Sequence, residues 1–199
     1  MIGNDVVDLA HRGVQPGAQH PRFDARVFCE RERTLIAGDP TQRVRWVLWA
    51  AKEAAYKAAK KLDRSVVWAP VRFEVALASR ALGSVRHGER ELALYVEQTD
   101  EFVHALARAG ESAGEPCSRV APFVGEDASA AARALACGAL ADRLGVARER
   151  LSIAKRGRIP VLCADGAPAQ ADLSLSHHGR FVAFACELAA GAIPARLAS

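Results

Sequence analysis

Paired cysteines, long apolar runs and tracts of a single charge are all missing from this chain of 199 residues. Its five cysteines, Cys29, Cys117, Cys137, Cys163 and Cys186, are odd in number and far apart, and none sits in a C-x-x-C pair. That pattern excludes a disulfide framework and a zinc knuckle, and leaves buried reduced thiols as the expectation. No segment approaches the roughly eighteen uninterrupted apolar residues of a membrane-spanning helix. The opening MIGNDVVDLA holds two acids and no apolar core of signal-peptide length, so a cytoplasmic protein is expected. Aromatic residues are scarce as well. Three Trp and two Tyr are too few for a surface on which bases stack.

What is present fits an ordinary globular chain. Half the residues are hydrophobic and 25% are charged, enough for a buried core in one sizeable domain or two small packed halves. The net charge of +4 favours an anionic partner without choosing among nucleic acid, a phosphorylated cofactor and an acidic protein. No helix sets base-reading side chains over a basic face, so nucleic acid is not expected.

The periodicities predict a short strand around Val6, Val7 and Leu9, a loop from Arg12 to Pro21, and a short helix ending near Gly38. A long helix follows from about Thr41 to Leu62, with Val44, Leu48, Ala51, Ala55, Ala58 and Leu62 as its core-facing stripe. Two strand-like runs, RELALYVEQ and EFVHALA, flank a turn at Thr99-Asp100. GESAGEP, Gly110 to Pro116, reads as a linker, and Asp127 to Leu144 as an alanine-rich helix. LSIAKR, PVLCA, DLSLS and FVAFACEL read as strands broken by Gly157, Gly166 and Gly179. The sum is an α+β fold of antiparallel sheets packed on long helices. It divides into two α+β halves, 1–110 and 117–188, with a tail over 189–199.

Three short stretches could carry chemistry. In IGNDVVDL, a glycine two residues before Asp5 suits a carboxylate beside a backbone that must approach something closely. Asp5 and Asp8 are three apart, so an extended strand turns them to opposite sides and they do not chelate one ion together. In WAAKEAAYK, Glu53 is the only acid between Val44 and Leu62, among Lys52, Lys57, Lys60 and Lys61. It shares a face with Lys57, with Trp49 one turn earlier and Tyr56 nearby as an aromatic wall. In LSLSHHGRFVAFA, Ser176, His177, His178 and Arg180 gather donors at the Gly179 turn, a plausible anion cradle.

Taken together, G-x-D, then W-x-x-K-E-x-x-x-K, then S-x-S-H-x-G-R-F closely resemble the 4′-phosphopantetheinyl transferase superfamily. The motif order resembles that of the short holo-acyl-carrier-protein synthases, as does HPRFDARVFCERE. SHHGRFVAFA is similar to an element of the larger surfactin-synthetase-activating members. There are departures. Val7 stands where larger members often have a second acid, with Asp8 the nearest substitute; His178 stands where relatives have an acid or Ser. A G-[KR]-P element appears as Gly157-Arg158-Ile159-Pro160.

The resemblance implies that a serine of an apo acyl or peptidyl carrier protein attacks the β-phosphate of coenzyme A, releasing adenosine 3′,5′-bisphosphate. It implies Mg²⁺ held by Asp5 and Glu53, with Glu53 also the base, directly or through a metal-bound water. Lys57, and Lys52 beside it, would meet the pyrophosphate. His177, with Ser176 or Arg180 and with Arg158, would meet the 3′-phosphate. Arg12, Arg22 and Arg26 would dock the acidic carrier. The short synthases are trimers and the larger members monomers of two pseudo-equivalent halves; the length of this chain favours a pseudodimeric monomer. The rival is a coenzyme A-binding relative that does not transfer.

Overall fold

The structure is a computed structural model, and it describes residues 1–110, 116–189 and 192. Strand β1 (Ile2–Asp8) starts the chain. A loop with one 3₁₀ turn at Arg12–Val14 leads to helices α1 (Phe23–Val27) and α2 (Glu30–Ala37). The single short helix expected here is therefore two. The backbone turns extended at Phe28 and Cys29, and Glu32 reaches back to accept the Cys29 amide at 2.8 Å, which starts α2 afresh.

Helix α3 (Arg43–Leu62) is the axis of the first half. Asp39 caps it by accepting the Val44 amide at 2.7 Å, and its alanines and lysines are strong helix formers. A sheet of order β1-β5-β4-β3-β2 lies against it, every neighbouring pair antiparallel. Its other strands are β2 (Glu74–Leu77), β3 (Leu82–His87), β4 (Arg90–Gln98) and β5 (Phe102–Arg108). Strands β4 and β5 form the hairpin expected around Thr99-Asp100.

The buried face of α3 is broader than the stripe its periodicity marks. Trp46, Val47, Ala50, Ala54 and Ala59 are buried along with Leu48, Ala51, Ala55 and Ala58, while Leu62 is exposed. The sheet covers one side and α2 with the stretch before β2 covers another, so small residues are needed most of the way round. At Gly3 the approach is closest. A Cβ there would lie 2.0 Å from the Ala54 carbonyl oxygen and 2.8 Å from the Ala58 nitrogen. Only glycine lets β1 run backbone against backbone along the helix.

Beyond β5, the interior of the expected linker, residues 111–115, lies outside the described residues. Strand β6 (Cys117–Pro122), which the sequence patterns did not mark, precedes α4 (Ala128–Leu144), whose cap Asp127 accepts the Ala130 amide at 2.8 Å. The remaining strands are β7 (Leu151–Arg156), β8 (Ile159–Ala164), the two-residue β9 (Ala167–Pro168), β10 (Ala171–His178) and β11 (Phe181–Leu188). They form two three-stranded antiparallel sheets, β10-β11-β6 and β7-β8-β9. A second core of Ala136, Leu140, Leu162, Leu173 and Phe184 fills the space between α4 and these strands. Where the two parts meet, Ile2 and Leu106 pack on Ala185, and Val6 on Phe181 and Ala183. Among the described residues no helix is long and apolar enough to cross a membrane. Of the expected tail, only Ala189 and Ala192 are described.

Candidate active site

Strand β1 holds the site, and its two edges are satisfied differently. One edge pairs with β5 in the ordinary backbone ladder. Along the other, side chains stand in for a strand. The Asn4 amide donates to Ser174 Oγ at 3.0 Å, the Asp8 amide to His178 Nδ1 at 3.0 Å, and the Ile2 amide to the Asp172 carboxylate. Lysines from α3 take the carbonyls. Lys61 Nζ donates to Ile2 O at 2.6 Å, Leu173 O at 2.8 Å and Asp172 Oδ1 at 2.7 Å; Lys57 Nζ donates to Asn4 O at 2.9 Å. Buried backbone groups must find partners, and here the amides find them in the second half of the chain and the carbonyls in α3.

Between these anchors lies a cleft of about 160 Å³ lined by Asp5, Val6, Val7, Trp46, Trp49, Glu53, His177 and His178. Asp5 is the one residue of β1 that is not buried. Its Oδ1 accepts from Lys57 Nζ at 2.8 Å. Burial pushes the Glu53 carboxyl up to about 7, the neighbouring charge of Asp5 pushes the same way, and Lys57 opposes them.

These residues fit Mg²⁺. The donors are hard carboxylate oxygens, and among the described residues no group of three His, Cys, Asp or Glu side chains converges on one point. An ion that binds through one or two carboxylates and fills its other positions with phosphate oxygens and water needs no third protein ligand. A divalent charge would also relieve the repulsion that raises Glu53.

The structure brings Asp5, Glu53, Lys57 and His177 together and leaves four other expected ligands aside. Lys52 is fully buried and pairs with the equally buried Glu32 at 2.8 Å, donating also to Pro70 O at 3.1 Å and to Phe73 O. One residue earlier than Glu53 is about 100° round the helix, which aims Lys52 into the core. Burial lowers its pKa, against the pull of Glu32. Arg180 grips Asp8 through Nε at 3.0 Å and its terminal nitrogen at 2.8 Å, so its guanidinium fork is committed to an acid within the chain. Ser176 is buried and accepts from Asn4 Nδ2 at 2.9 Å. Arg158 is exposed at the tip of the β7–β8 hairpin, in a different sheet from His177.

Asp8 is no second metal ligand either. Besides Arg180 it accepts the amides of Arg180 and Ala10, both at 2.9 Å. Burial by itself would raise its pKa, but these bonds and the guanidinium charge outweigh it and hold Asp8 at about 2. Gly179, at φ +54°, leaves room for this carboxylate; a Cβ there would be 2.4 Å from Asp8 Oδ2.

Sequence reasoning missed the polar seam that holds Asp5 in place. Asn4 Nδ2 meets the buried His104 ring at 3.1 Å. His104 stays neutral, its pKa lowered to about 4 by burial and then by the nearby Lys57 charge. The signal was present in β10, where Asp172, Ser174, Ser176 and His178 alternate with Leu173 and Leu175. Such a face usually meets water; here it meets β1. Arg12, Arg22 and Arg26 are exposed, and Phe23 of α1 lies 5.4 Å from the Trp49 ring, centre to centre, so this segment borders the cleft.

A family model described as the 4′-phosphopantetheinyl transferase superfamily matches residues 1–107. Among solved structures, the crystal structure of Thermotoga maritima holo-[acyl-carrier-protein] synthase is similar over 84% of this chain and 83% of its own. Sequence identity is 15% and the TM-score is 0.42. No curated protein sequence matches the chain.

Proposed function

The chain belongs to the 4′-phosphopantetheinyl transferase superfamily, whose model spans more than half its length, and from that premise we propose that it modifies a carrier protein. The serine hydroxyl of an apo acyl or peptidyl carrier attacks the β-phosphorus of coenzyme A. A serine O–P bond forms, and the bond from that phosphorus to the bridging oxygen breaks. Adenosine 3′,5′-bisphosphate leaves with the electron pair. Asp5 and Glu53 would hold Mg²⁺, which would supply charge neutralisation at the pyrophosphate.

Each residue of the cleft has a part in this reading. Glu53 takes the serine proton directly or through a water, an assistance typically worth about 10²–10⁴-fold. Lys57 is held beside Asp5, where its charge meets the leaving side of the pyrophosphate. His177, exposed at the cleft rim, takes the 3′-phosphate. Lys52 and Ser176 serve the fold through Glu32 and Asn4, and Arg180 does so through the two nitrogens that grip Asp8. The exposed Arg12, Arg22 and Arg26 receive the acidic carrier. Both halves, 1–110 and 117–188, contribute to one cleft, so a monomer working in the cytoplasm suffices.

The observation that carries this reading is the half-buried Asp5–Glu53 pair with Lys57 on it, inside the matched region. The test is intact-mass spectrometry of an apo carrier protein after incubation with this protein, coenzyme A and Mg²⁺. The expected result is a mass gain of one phosphopantetheine arm, abolished by EDTA. Coenzyme A binding with no gain on fatty-acid, polyketide or peptidyl carriers would replace the proposal with a non-catalytic coenzyme A-binding relative.

A further inference from the structure

His178 is a polar cleft residue to which the proposed reaction gives no task, and its hydrogen bonding fixes what it can do. A backbone amide can only donate. Because the Asp8 amide points at His178 Nδ1 from 3.0 Å, Nδ1 must be an unprotonated acceptor. A neutral imidazole with a bare Nδ1 carries its proton on Nε2. The ring is held from the side by His11, whose plane stands at 63° to it with centres 4.5 Å apart. His11 is itself fixed by the Gly13 amide donating to its Nδ1 at 3.2 Å. Among the described residues nothing takes the His178 Nε2–H, and the ring lines the same cleft as Asp5, Glu53 and His177.

Resting on the function proposed above, we propose that His178 is a binding residue: a neutral imidazole of fixed tautomer whose Nε2–H donates to a non-bridging oxygen of the coenzyme A pyrophosphate. The cleft leaves this task to be filled. Lys57 spends two of its three N–H groups on Asp5 and Asn4 O, Arg180 is tied to Asp8, Lys52 is buried with Glu32 and the Trp46 indole nitrogen is sealed from solvent, so among the described residues the histidine pair offers directional donors beside the two carboxylates. A neutral donor suits that place. It bonds an anionic oxygen without bringing a second mobile cation next to Asp5. A protonated ring would have to give up the bond from the Asp8 amide, so the fold itself selects the neutral form.

Two substitutions separate this role from a structural one. Asn places an acceptor where Nδ1 sits but stops short of Nε2; Gln reaches the Nε2 position and gives up the Nδ1 acceptor. Coenzyme A and inorganic pyrophosphate would be titrated with Mg²⁺, following Trp46 and Trp49 fluorescence in the cleft, with the melting temperature read alongside. His178→Asn should melt like the natural protein yet bind both ligands about tenfold more weakly, the usual loss for a hydrogen bond to a charged group. His178→Gln should melt lower and recover most of that binding. Nitrogen NMR of the unaltered protein should show a bare Nδ1 and a protonated Nε2 on His178. Unchanged affinity in His178→Asn, no recovery in His178→Gln, or a proton on Nδ1 overturns the assignment. If the unaltered protein binds neither ligand, the function proposed above fails and takes this role with it.

Discussion

Lys52 and Glu53 are neighbours in one helical signature, and the fold sends them in opposite directions. Lys52 enters the core, where it ties α2, α3 and the stretch leading into β2 through Glu32, Pro70 O and Phe73 O. Glu53 turns into the cleft, where burial and the charge of Asp5 disfavour its ionised form and Lys57 offsets them only in part. One charged residue is satisfied on every side; the other is left in tension. The difference teaches how to read the K-E pair. The lysine secures the helix that presents the acid, and the acid is left with burial and the charge of Asp5 against it.

Breaking the satisfied side should cost most. Lys52→Met strands a fully buried Glu32, and losing one member of a buried pair typically costs about 3–5 kcal/mol. Two amides, from Cys29 and Val75, still reach Glu32, so chemical denaturation should show a loss toward the lower end of that range.

Removing the tension should do the reverse. Glu53 has its folded pKa raised from 4.5 to about 7, so the stability it contributes is full below 4.5 and is lost as pH rises through about 7. In metal-free protein, Glu53→Gln should therefore be more stable than the natural chain by roughly 2–3 kcal/mol at pH 8 and no different near pH 4. Melting curves at the two pH values check this. A penalty at pH 8 would mean that Glu53 has a hidden partner.

Asp8 sharpens the comparison from within β1, three residues from Asp5. Its folded pKa is depressed to about 2, so its contribution is present above the ordinary 3.8 and is lost as pH falls through 2. Asp8→Asn should cost about 2 kcal/mol at neutral pH, with the difference from the natural protein closing in strong acid. Because Asp8 serves the Arg180 turn, the loss should appear in stability before it appears in affinity for a divalent cation.

How legible was this in the sequence? Helix α3, the β4–β5 hairpin and the strands of the second half follow from periodicity and turn residues, because local patterns report local geometry. The place of Gly3 before Asp5 also predicted a close backbone approach, and α3 is what approaches. Strand β6 was not legible, since CSRVAP has weak alternation and gains its identity only by pairing with β11. Nor was the fate of the cations. Lys52, Ser176 and Arg180 carry the chemistry of ligand-binding residues, and only tertiary contacts with Glu32, Asn4 and Asp8 reveal that they are occupied. Composition tells which groups can bind an anion. It does not tell which of them remain free.

The central claim is that Glu53 is the unsatisfied acid on which transfer depends, and the initial rate of carrier modification in Glu53→Gln tests it most directly. With coenzyme A, Mg²⁺ and an apo carrier accepted by the natural protein, intact-mass spectrometry should show a rate lower by roughly 10³ or more, in a protein whose melting temperature at pH 8 is equal or higher. A rate within a few-fold of the natural protein would contradict the account, because a cleft acid that can be neutralised without loss is neither the base nor a holder of the metal.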